Sequence, residues 1–382
     1  MKVKICVVVS AEITVKAFLI NHLRCLSTAY DLTVILNTKD VEFLNKLGID
    51  ARLIRLPIER KISFFGDCLA FFNLIYIFRT EEYRLIHSFT PKAGLLSALA
   101  ARISGSPLII HTFTGQIWAN KSGLSKFILK FFDALIAYCT TFTLVDSESQ
   151  RKYLVEEGIV RPEKSAVLAN GSLSGVDIQK FCPDTVMRRK LRDELGIRDT
   201  DCVFLFLGRI TKDKGVLDLI TAFDVHCKNN NDSTLLIVGP DEENLLKDIE
   251  SFHPNLASKM HIIGYTNTPE TYMQCSDVFC LPSYREGFGS VVIEAASVGI
   301  PAIGSRIYGI TDSIVDGKTG YVHDPKNILE ITMLMNQLSS DSRLRETLGN
   351  TAMDRAHEEF SQDVVTNALL DFYRINLSGV QS

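Results

Sequence analysis

The stretch VFCLPSYREGFGSVVIEAASVGIPAIGS, residues 278–305, contains a strand, a loop, a helix and a second strand in immediate succession. The apolar VFCLP predicts the first strand, and the glycine-rich SYREGFG predicts the loop. A helix is predicted from near Ser290 to just before Gly299, because glycine commonly ends a helix and Pro301 prevents its continuation. PAIGS then starts the next strand. A strand–helix–strand unit of this kind is typical of parallel sheets.

The same alternation continues along the chain in two series of strands that are apolar on both faces. The first series is predicted at residues 4–10, 32–37, 84–89, 107–113, 142–147 and 166–171. The second series is predicted at residues 203–209, 233–239, 260–265, 278–282 and 301–305. Strands of this type, separated by helices, indicate parallel sheets covered on both faces, so the predicted class is α/β.

A polar helical connector at residues 181–197 separates the two series, and 382 residues exceed one ordinary core. We therefore predict an N-terminal domain at 1–178, a C-terminal domain at 179–360, and a final helix at 361–382 that packs back towards the N-terminal domain. Two such sheets in tandem predict a ligand cleft between the carboxyl ends of their strands.

The composition excludes several classes of protein. The net charge is −4, but residues 1–175 carry 21 basic and 15 acidic side chains, so this part is +6 and the remainder −10. Nine cysteines without a C-x-x-C pair favour buried thiols in a reducing compartment, and MKVKICVVVS resembles a first strand more than a signal peptide. The acidic total and the missing G-x-G-x-x-G argue against a nucleic-acid-binding protein and an NAD-dependent enzyme. A cytoplasmic enzyme or binding protein is expected.

Two acids distinguish the opening stretch. Glu286 precedes the predicted helix, where glycines can expose backbone N–H groups to a ligand. Glu294 lies about one turn inside that helix, and a carboxylate can accept both hydroxyls of a vicinal diol such as ribose. The alternative is a solvated loop acid and a helix-surface acid, against which the apolar neighbours of Glu294 argue.

A second stretch, LGRITKDKGVLDLITAF at residues 207–223, places two cations at the carboxyl end of a strand. Arg209 lies in the turn, and Lys214 precedes the next helix. Fixed cations beside a helix N-terminus are suited to holding a diphosphate. Taken alone, they could equally be ordinary surface charges.

Together these motifs resemble the C-terminal domain of family 4 glycosyltransferases. The resemblance rests on GRITKDKGV, LLIVGPDEE, HIIGYT, CSDVFCLPSYREGFGSVVIEAASVGIPAIGS and IVDGKTGYVHDP, which cover nearly all of residues 200–325 in the family's order. Looser similarity extends over the N-terminal domain. The family implies the GT-B fold of two Rossmann-like domains with a cleft between them, and retaining transfer from a nucleotide sugar.

The resemblance also implies roles for individual residues. Arg209 and Lys214 would bind the donor diphosphate and, with Glu286, form the catalytic group. Glu286 would contact the donor sugar together with the amides of residues 287–289, and Glu294 would bind the ribose. The complete predicted donor site is Gly208, Arg209, Lys214, Gly239, Glu286, Gly287, Phe288, Gly289 and Glu294.

The implied reaction moves a sugar from a nucleoside diphosphate, with UDP preferred, to an acceptor hydroxyl. Fixed cations and helix N-termini would stabilise the leaving diphosphate, so no metal or other cofactor is expected. Asp199 and Asp201 form a D-x-D element, but it precedes a strand. Two alternatives stay open: a GT-B-fold sugar-nucleotide epimerase, and a noncatalytic nucleotide-sugar-binding subunit of an assembly complex.

The N-terminal domain would hold the acceptor, and here the sequence departs from the family, since SAEITVK at residues 10–16 replaces the usual glycine pair. His87 is predicted to end a strand and face the cleft. His111, inside a strand, is equally compatible with a buried structural role. The candidate acceptor contacts are His87, Thr114, Gly115 and Trp118.

Two segments, residues 55–79 and 121–137, place basic residues beside large aromatic ones. Their basic residues are Arg55, Arg60, Lys61, Lys121, Lys126 and Lys130. This pattern suits peripheral docking on an anionic membrane, although core helices with basic edges are the alternative. The apolar run at 62–78 is too short to span a bilayer. Among related enzymes, docking on the inner face of the cytoplasmic membrane implies a polyprenyl-diphosphate-linked glycan acceptor, as in O-antigen or capsule assembly.

Overall fold

A computed structural model describes residues 2–59, 63–228, 230, 232–247, 249, 253–256 and 258–379. The chain forms two compact units. The first comprises the residues up to Gly175 together with those from Gln362 onward, and the second is Val176–Ser361.

The first unit contains a parallel sheet with, among the described residues, seven strands in the order β3-β2-β1-β4-β5-β6-β7. The strands are β1 (Lys4–Val9), β2 (Asp31–Leu36), β3 (Arg52–Arg55), β4 (Leu85–Phe89), β5 (Leu108–Phe113), β6 (Phe142–Val145) and β7 (Ser165–Val167). The helices between them are α1 (Glu12–Thr14), continued by a π-helical turn (Val15–Leu19), α2 (Ile20–Ala29), α3 (Phe43–Lys46), α4 (Phe64–Glu81), α5 (Pro91–Ile103), α6 (Gly123–Cys139) and α7 (Glu148–Glu156). A 3-10 turn (Pro162–Lys164) precedes β7.

The second unit repeats this plan with a parallel sheet whose described strands have the order β10-β9-β8-β11-β12-β13. The strands are β8 (Cys202–Leu207), β9 (Ser233–Val238), β10 (Met260–Ile263), β11 (Val278–Leu281), β12 (Ala302–Ser305) and β13 (Gly320–His323). The helices are α8 (Thr185–Leu195), α9 (Val216–Cys227), α10 (Pro269–Cys275), α11 (Ser290–Ser297), α12 (Ile310–Ser313), α13 (Ile328–Ser340) and α14 (Ser342–Phe360). Two 3-10 turns (Lys212–Lys214 and Pro254–Leu256) lie in its loops.

The central strands of each sheet are buried on both faces, which explains why they are mostly apolar. In the second unit, Phe279 and Cys280 are neighbours on β11, yet their side chains enter separate apolar cores on opposite faces. In the first unit, the side chains of Val7 and Val8 on β1 likewise enter separate apolar cores. These helix-covered parallel sheets confirm the predicted α/β class.

The last helix, α15 (Gln362–Gly379), belongs to the first unit. Buried polar bonds join it to the rest of that unit: Nδ1 of His22 lies 2.8 Å from Oγ1 of Thr366, and Nδ1 of His87 lies 2.5 Å from Oη of Tyr373. Leu369 and Tyr373 complete the same apolar core as Val7.

Two strands, β3 and β13, are absent from the predicted series. Both lie at sheet edges. β3 begins and ends on an exposed arginine, Arg52 and Arg55, and β13 begins on Gly320. Edge strands are covered on fewer sides than central ones, so their sequences carry a weaker apolar signal.

Candidate active site

Two loops that are far apart in sequence meet at the carboxyl edge of the second sheet. One follows β8 and the other follows β11. The backbone N–H of Tyr284 donates to the carbonyl of Asp213 at 2.8 Å, and Arg285 pairs with the Asp213 carboxylate at 2.9 Å. A Cβ built on Gly215 would lie 2.0 Å from the carbonyl oxygen of Pro282, so the loops are in direct backbone contact.

This contact brings Lys214 and Glu286 together. Nζ of Lys214 donates to Oε1 of Glu286, and the hydroxyl of Ser283 donates to the same oxygen at 2.9 Å. Both charged side chains are mostly buried. Sequence reasoning found the lysine and the acid but missed Ser283, whose signal is its position directly after a strand that ends at the predicted site.

Arg209 also follows β8, but its partner lies in the loop after β9 rather than in the loop after β11. Its guanidinium pairs with Glu242 at 3.0 Å, and both side chains are substantially exposed. Gly208 and Gly239, which follow β8 and β9, approach very closely. A Cβ built on Gly239 would lie only 1.9 Å from the carbonyl oxygen of Gly208. The backbone of Gly239, at φ +142°, has no room for a side chain.

The loop after β11 leads into α11 through Gly289, which has a left-handed φ of +78° and provides no side-chain cap. Phe288 is buried in the apolar core, and its ring lies 5.1 Å from that of Phe360. A ligand could therefore meet only its backbone. With a glycine on each side, residues 287–289 present backbone rather than side chains at this helix N-terminus.

Glu294 lies one turn into α11 and is half-buried. Burial raises the pKa of its carboxyl to about 7, nearby Lys180 opposes this shift, and Glu270 adds to it. Lys180 and Glu270 pair with each other at 3.3 Å. Within the described part of the chain, the Glu294 carboxylate has no hydrogen bond or ion pair of its own, and none joins it to Glu286.

The prediction that His87 faces a ligand is wrong. His87 lies in the middle of β4 and is fully buried. Its Nδ1 bonds Tyr373 at 2.5 Å and its Nε2 bonds Thr112 at 2.7 Å, so both ring nitrogens are occupied. Burial holds its pKa well below the ordinary histidine value. His111 on β5 is likewise buried, with Nδ1 2.9 Å from the Ser88 hydroxyl.

The prediction that the Trp118 side chain contacts an acceptor is also wrong. Trp118 is only 1% exposed, donates from Nε1 to Asp133 at 2.7 Å, and stacks on Tyr153. Thr114 and Gly115, directly after β5, are half-buried and keep a surface that a ligand could reach.

Sequence reasoning missed a buried acid, Asp146, which directly follows β6. Its Oδ1 has no hydrogen-bond partner among the described residues, and burial raises the pKa of its carboxyl to about 8. It lines a small cavity with His22 and His87. Its only sequence signal is an acid at the end of an apolar strand.

Comparisons with known proteins agree with this architecture. Residues 187–355 match the family "Glycosyl transferases group 1", and residues 28–171 match the "Glycosyl transferase 4-like domain". The chain is 28% identical over 351 residues to the capsular polysaccharide biosynthesis glycosyltransferase CapM of Staphylococcus aureus, covering 87% of this chain and 92% of the relative. It is 31% identical over 257 residues to the UDP-Gal:alpha-D-GlcNAc-diphosphoundecaprenol alpha-1,3-galactosyltransferase of Escherichia coli, covering 65% of each protein.

Solved structures share the fold at low sequence identity. The structure of Anabaena Alr3699/HepE in complex with UDP and glucose has a TM-score of 0.79 at 17% identity and covers 98% of this chain and 100% of that one. A glycosyltransferase from Rickettsia africae ESF-5 has a TM-score of 0.81 at 20% identity, with 98% and 99% covered.

Two Rossmann-like α/β units with these neighbours define the GT-B class of glycosyltransferases. The chain belongs to family 4 of these enzymes, with relatives in capsule and polysaccharide biosynthesis. The predicted family and the predicted transferase activity are therefore confirmed, and a transferase is favoured over the epimerase and the noncatalytic subunit that the sequence left open.

Proposed function

We propose that this glycosyltransferase moves a hexose from UDP to a hydroxyl of a polyprenyl-diphosphate-linked glycan, with retention of anomeric configuration, during capsule or O-antigen assembly. The observation that carries the proposal is the joining of Lys214 and Glu286 at the N-terminus of α9. A cation and an acid are held there where a diphosphate and a sugar hydroxyl would need them.

The donor assignment has three supports. Arg209 and Lys214 both lie in the loop that leads into α9, whose N-terminal backbone N–H groups favour anions. Glu294 has a carboxylate with no protein partner among the described residues, so it is available to a ribose diol. The fold neighbour from Anabaena binds UDP and glucose, and the E. coli relative is named for UDP-galactose.

In the proposed reaction the bond between the anomeric carbon and the diphosphate oxygen breaks first. The pair of electrons leaves with the diphosphate, and Arg209 and Lys214 stabilise the charge that develops on its oxygens. The acceptor oxygen then bonds to the anomeric carbon from the same face, and its proton passes to the departing phosphate oxygen. No protein base is needed for this step.

We further propose that the two cations replace a divalent metal in stabilising the diphosphate. Within the described residues, no group of three or more histidine, cysteine or acidic side chains is arranged to hold a metal ion. A decisive test is activity after exhaustive dialysis against a chelator, since a loss that Mg²⁺ restores would contradict this part of the proposal.

The acceptor assignment rests on an exposed apolar surface of the first unit, which we call the aromatic surface. Its members on α4 are Phe64, Phe65, Leu69, Phe72 and Tyr76, and those on α6 are Leu124, Phe127, Ile128, Phe131 and Tyr138. Both helices pack against α5, so the surface spans one side of the unit. Large exposed apolar side chains concentrated on two helices in this way favour a site of interaction.

We propose an anionic lipid surface as the occupant. The E. coli relative is named for a diphosphoundecaprenol acceptor, and a polyprenyl chain is apolar. Lys121 lies exposed before α6, whereas Lys126 and Lys130 lie over the Trp118 ring and Lys130 also pairs with Glu157. Arg60 and Lys61, also predicted to contribute, lie outside the described residues. No helix among the described residues has the length and hydropathy needed to cross a bilayer.

The transfer is tested with a panel of UDP-hexoses and undecaprenyl-diphosphate-linked N-acetylglucosamine. Label from one donor should enter the lipid fraction, and NMR of the product should show the donor's anomeric configuration. Hydrolysis or epimerisation of the donor without transfer would contradict the proposal, and so would inversion.

Docking is tested by flotation with phosphatidylglycerol-containing vesicles. Binding should weaken as salt rises, because exposed charges are screened. It should also fall in a Phe65→Ser/Phe127→Ser variant. The matched control is Leu329→Ser, which changes an equally exposed apolar side chain in the other unit. Absence of vesicle binding by the wild type at low salt would favour a soluble acceptor.

A further inference from the structure

Arg209 is already paired with an acid in this structure. One of its terminal nitrogens, Nη1, lies 3.0 Å from Oε2 of Glu242. Glu242 comes from the acidic segment PDEE, residues 240–243, which directly follows Gly239 at the end of β9. An acid that pairs with a proposed donor-binding cation competes with the donor for that cation.

The backbone fixes the segment that carries Glu242. The N–H of Ile210 donates to the carbonyl of Pro240 at 2.9 Å, and the N–H of Glu242 donates back to Ile210 at 3.3 Å, so the segment extends the pairing of β8 with β9. The Asp241 carboxylate accepts the N–H groups of Leu245 and Leu246. Glu242 is therefore held beside Arg209 by its backbone rather than reaching it from a distant loop.

Glu243, the next residue, has a different partner. Its carboxylate accepts the backbone N–H of Lys212 at 3.1 Å and, among the described residues, pairs with no arginine. The two neighbouring glutamates thus carry the same charge within one segment, but only Glu242 contacts Arg209. This difference separates an effect of contact from an effect of net charge.

We propose that Glu242 occupies Arg209 in the donor-free enzyme and competes with the donor diphosphate for it, which weakens nucleotide binding. The inference rests on the proposed role of Arg209 in donor binding. A guanidinium presents a fork of N–H donors that fits a carboxylate or a phosphate equally well, so one anion replaces the other.

We expect the diphosphate of an arriving nucleotide to displace Glu242 from Arg209. Both partners of the pair are more than two-fifths exposed, and exposed ion pairs contribute little to stability. A diphosphate carries more negative charge than a carboxylate and is held at the same time by Lys214 and α9. After displacement the carboxylate of Glu242 stays close to Arg209 because its backbone is fixed, so the pair can form again, which favours release of the product nucleotide.

The test is calorimetric binding of UDP and of uridine to the wild type, Glu242→Gln and Glu243→Gln. Glu242→Gln should bind UDP about three- to fivefold more tightly, in line with the loss of one exposed charge contact, and should bind uridine unchanged. Glu243→Gln should bind UDP as the wild type does. The gain should shrink as salt rises.

A double variant separates competition from simple repulsion. In an Arg209→Gln background, Glu242→Gln should give little further gain, because no cation remains to be released. A full gain in that background, or UDP binding by Glu242→Gln that is unchanged or weaker, overturns the inference. If the wild type binds no uridine nucleotide at all, that result contradicts the proposed donor site itself. Thermal unfolding of each variant checks that it is folded.

Discussion

Gly215 lies directly against the carbonyl oxygen of Pro282, so close that a Cβ on this glycine would be only 2.0 Å from that oxygen. Its φ of +68° is also in the left-handed region that favours glycine. The contact locks the loop that carries Lys214 onto the loop that carries Glu286. This backbone contact therefore helps to form the candidate active site, together with the hydrogen bond from Tyr284 to Asp213 and the ion pair of Arg285 with Asp213.

We expect Gly215→Ala to lower the free energy of unfolding by about 1–3 kcal/mol or more and to reduce donor binding, because the methyl group would force the two loops apart. Chemical denaturation and calorimetry measure the two effects. The matched control is Gly264→Ala, since Gly264 has open space around its Cβ position and no left-handed φ. Equal effects of the two substitutions would contradict this explanation.

Lys214→Ala should reduce turnover by a factor corresponding to about 2–4 kcal/mol of barrier, because a fixed charge in a partly buried site would no longer stabilise the leaving diphosphate. Steady-state kinetics with saturating donor measures the loss. Lys212→Ala is the control, because that side chain is exposed and only its backbone N–H is used by Glu243. Unchanged kinetics of Lys214→Ala would remove this lysine from the mechanism.

The arrangement around Lys214 and Glu286 was predictable because the information is local. Each residue lies in the loop that follows an apolar strand, and parallel strands place their carboxyl ends at one edge of the sheet. Side chains at that edge must therefore lie near one another. The same logic identifies Arg209 and Gly239, which follow β8 and β9.

The errors at His87 and Trp118 have a different physical origin. A strand that is buried on both faces gives no sign of which polar side chain finds a buried partner, and the partner of His87 is Tyr373, 286 residues away on α15. Trp118 follows a strand, as a site residue would, but its indole donates to Asp133 inside the core. The edge strand β3 was missed because its weak apolar character gives no local signal.

Glu294 leads to a prediction about pH. Burial raises the pKa of its carboxyl to about 7, and only the ionised form accepts both ribose hydroxyls. Binding of UDP-glucose, whose diphosphate diester does not titrate in this range, should therefore strengthen as pH rises from 6 to 8. Calorimetry across this range measures the change.

Glu294→Gln should bind UDP-glucose more weakly and with little dependence on pH, since an amide does not titrate. The wild type should likewise bind a 2′,3′-dideoxy analogue of the nucleotide, which lacks the diol, with little dependence on pH. If Glu294→Gln kept the same pH dependence of binding, that dependence would belong to another group.

Asp146 leads to a prediction about stability. Burial raises the pKa of its carboxyl to about 8, and Oδ1 has no partner among the described residues, so the folded enzyme keeps this carboxyl protonated at neutral pH. The unfolded chain loses that proton near pH 4. Between about pH 4 and pH 8 the folded state thus binds more protons, and this group makes stability fall as pH rises, by at most about 1.4 kcal/mol per pH unit.

Asp146→Asn should remove this contribution, so the free energy of unfolding of the variant should exceed that of the wild type by an amount that grows from pH 6 to pH 8. Urea denaturation at several pH values measures the difference. Other shifted groups, including Glu294 and the buried His22 and His87, titrate in both proteins and cancel in the comparison. Parallel pH profiles for the two proteins would mean that Asp146 is ionised in the folded state and has a partner, such as a buried water or a bound cation, that satisfies its charge.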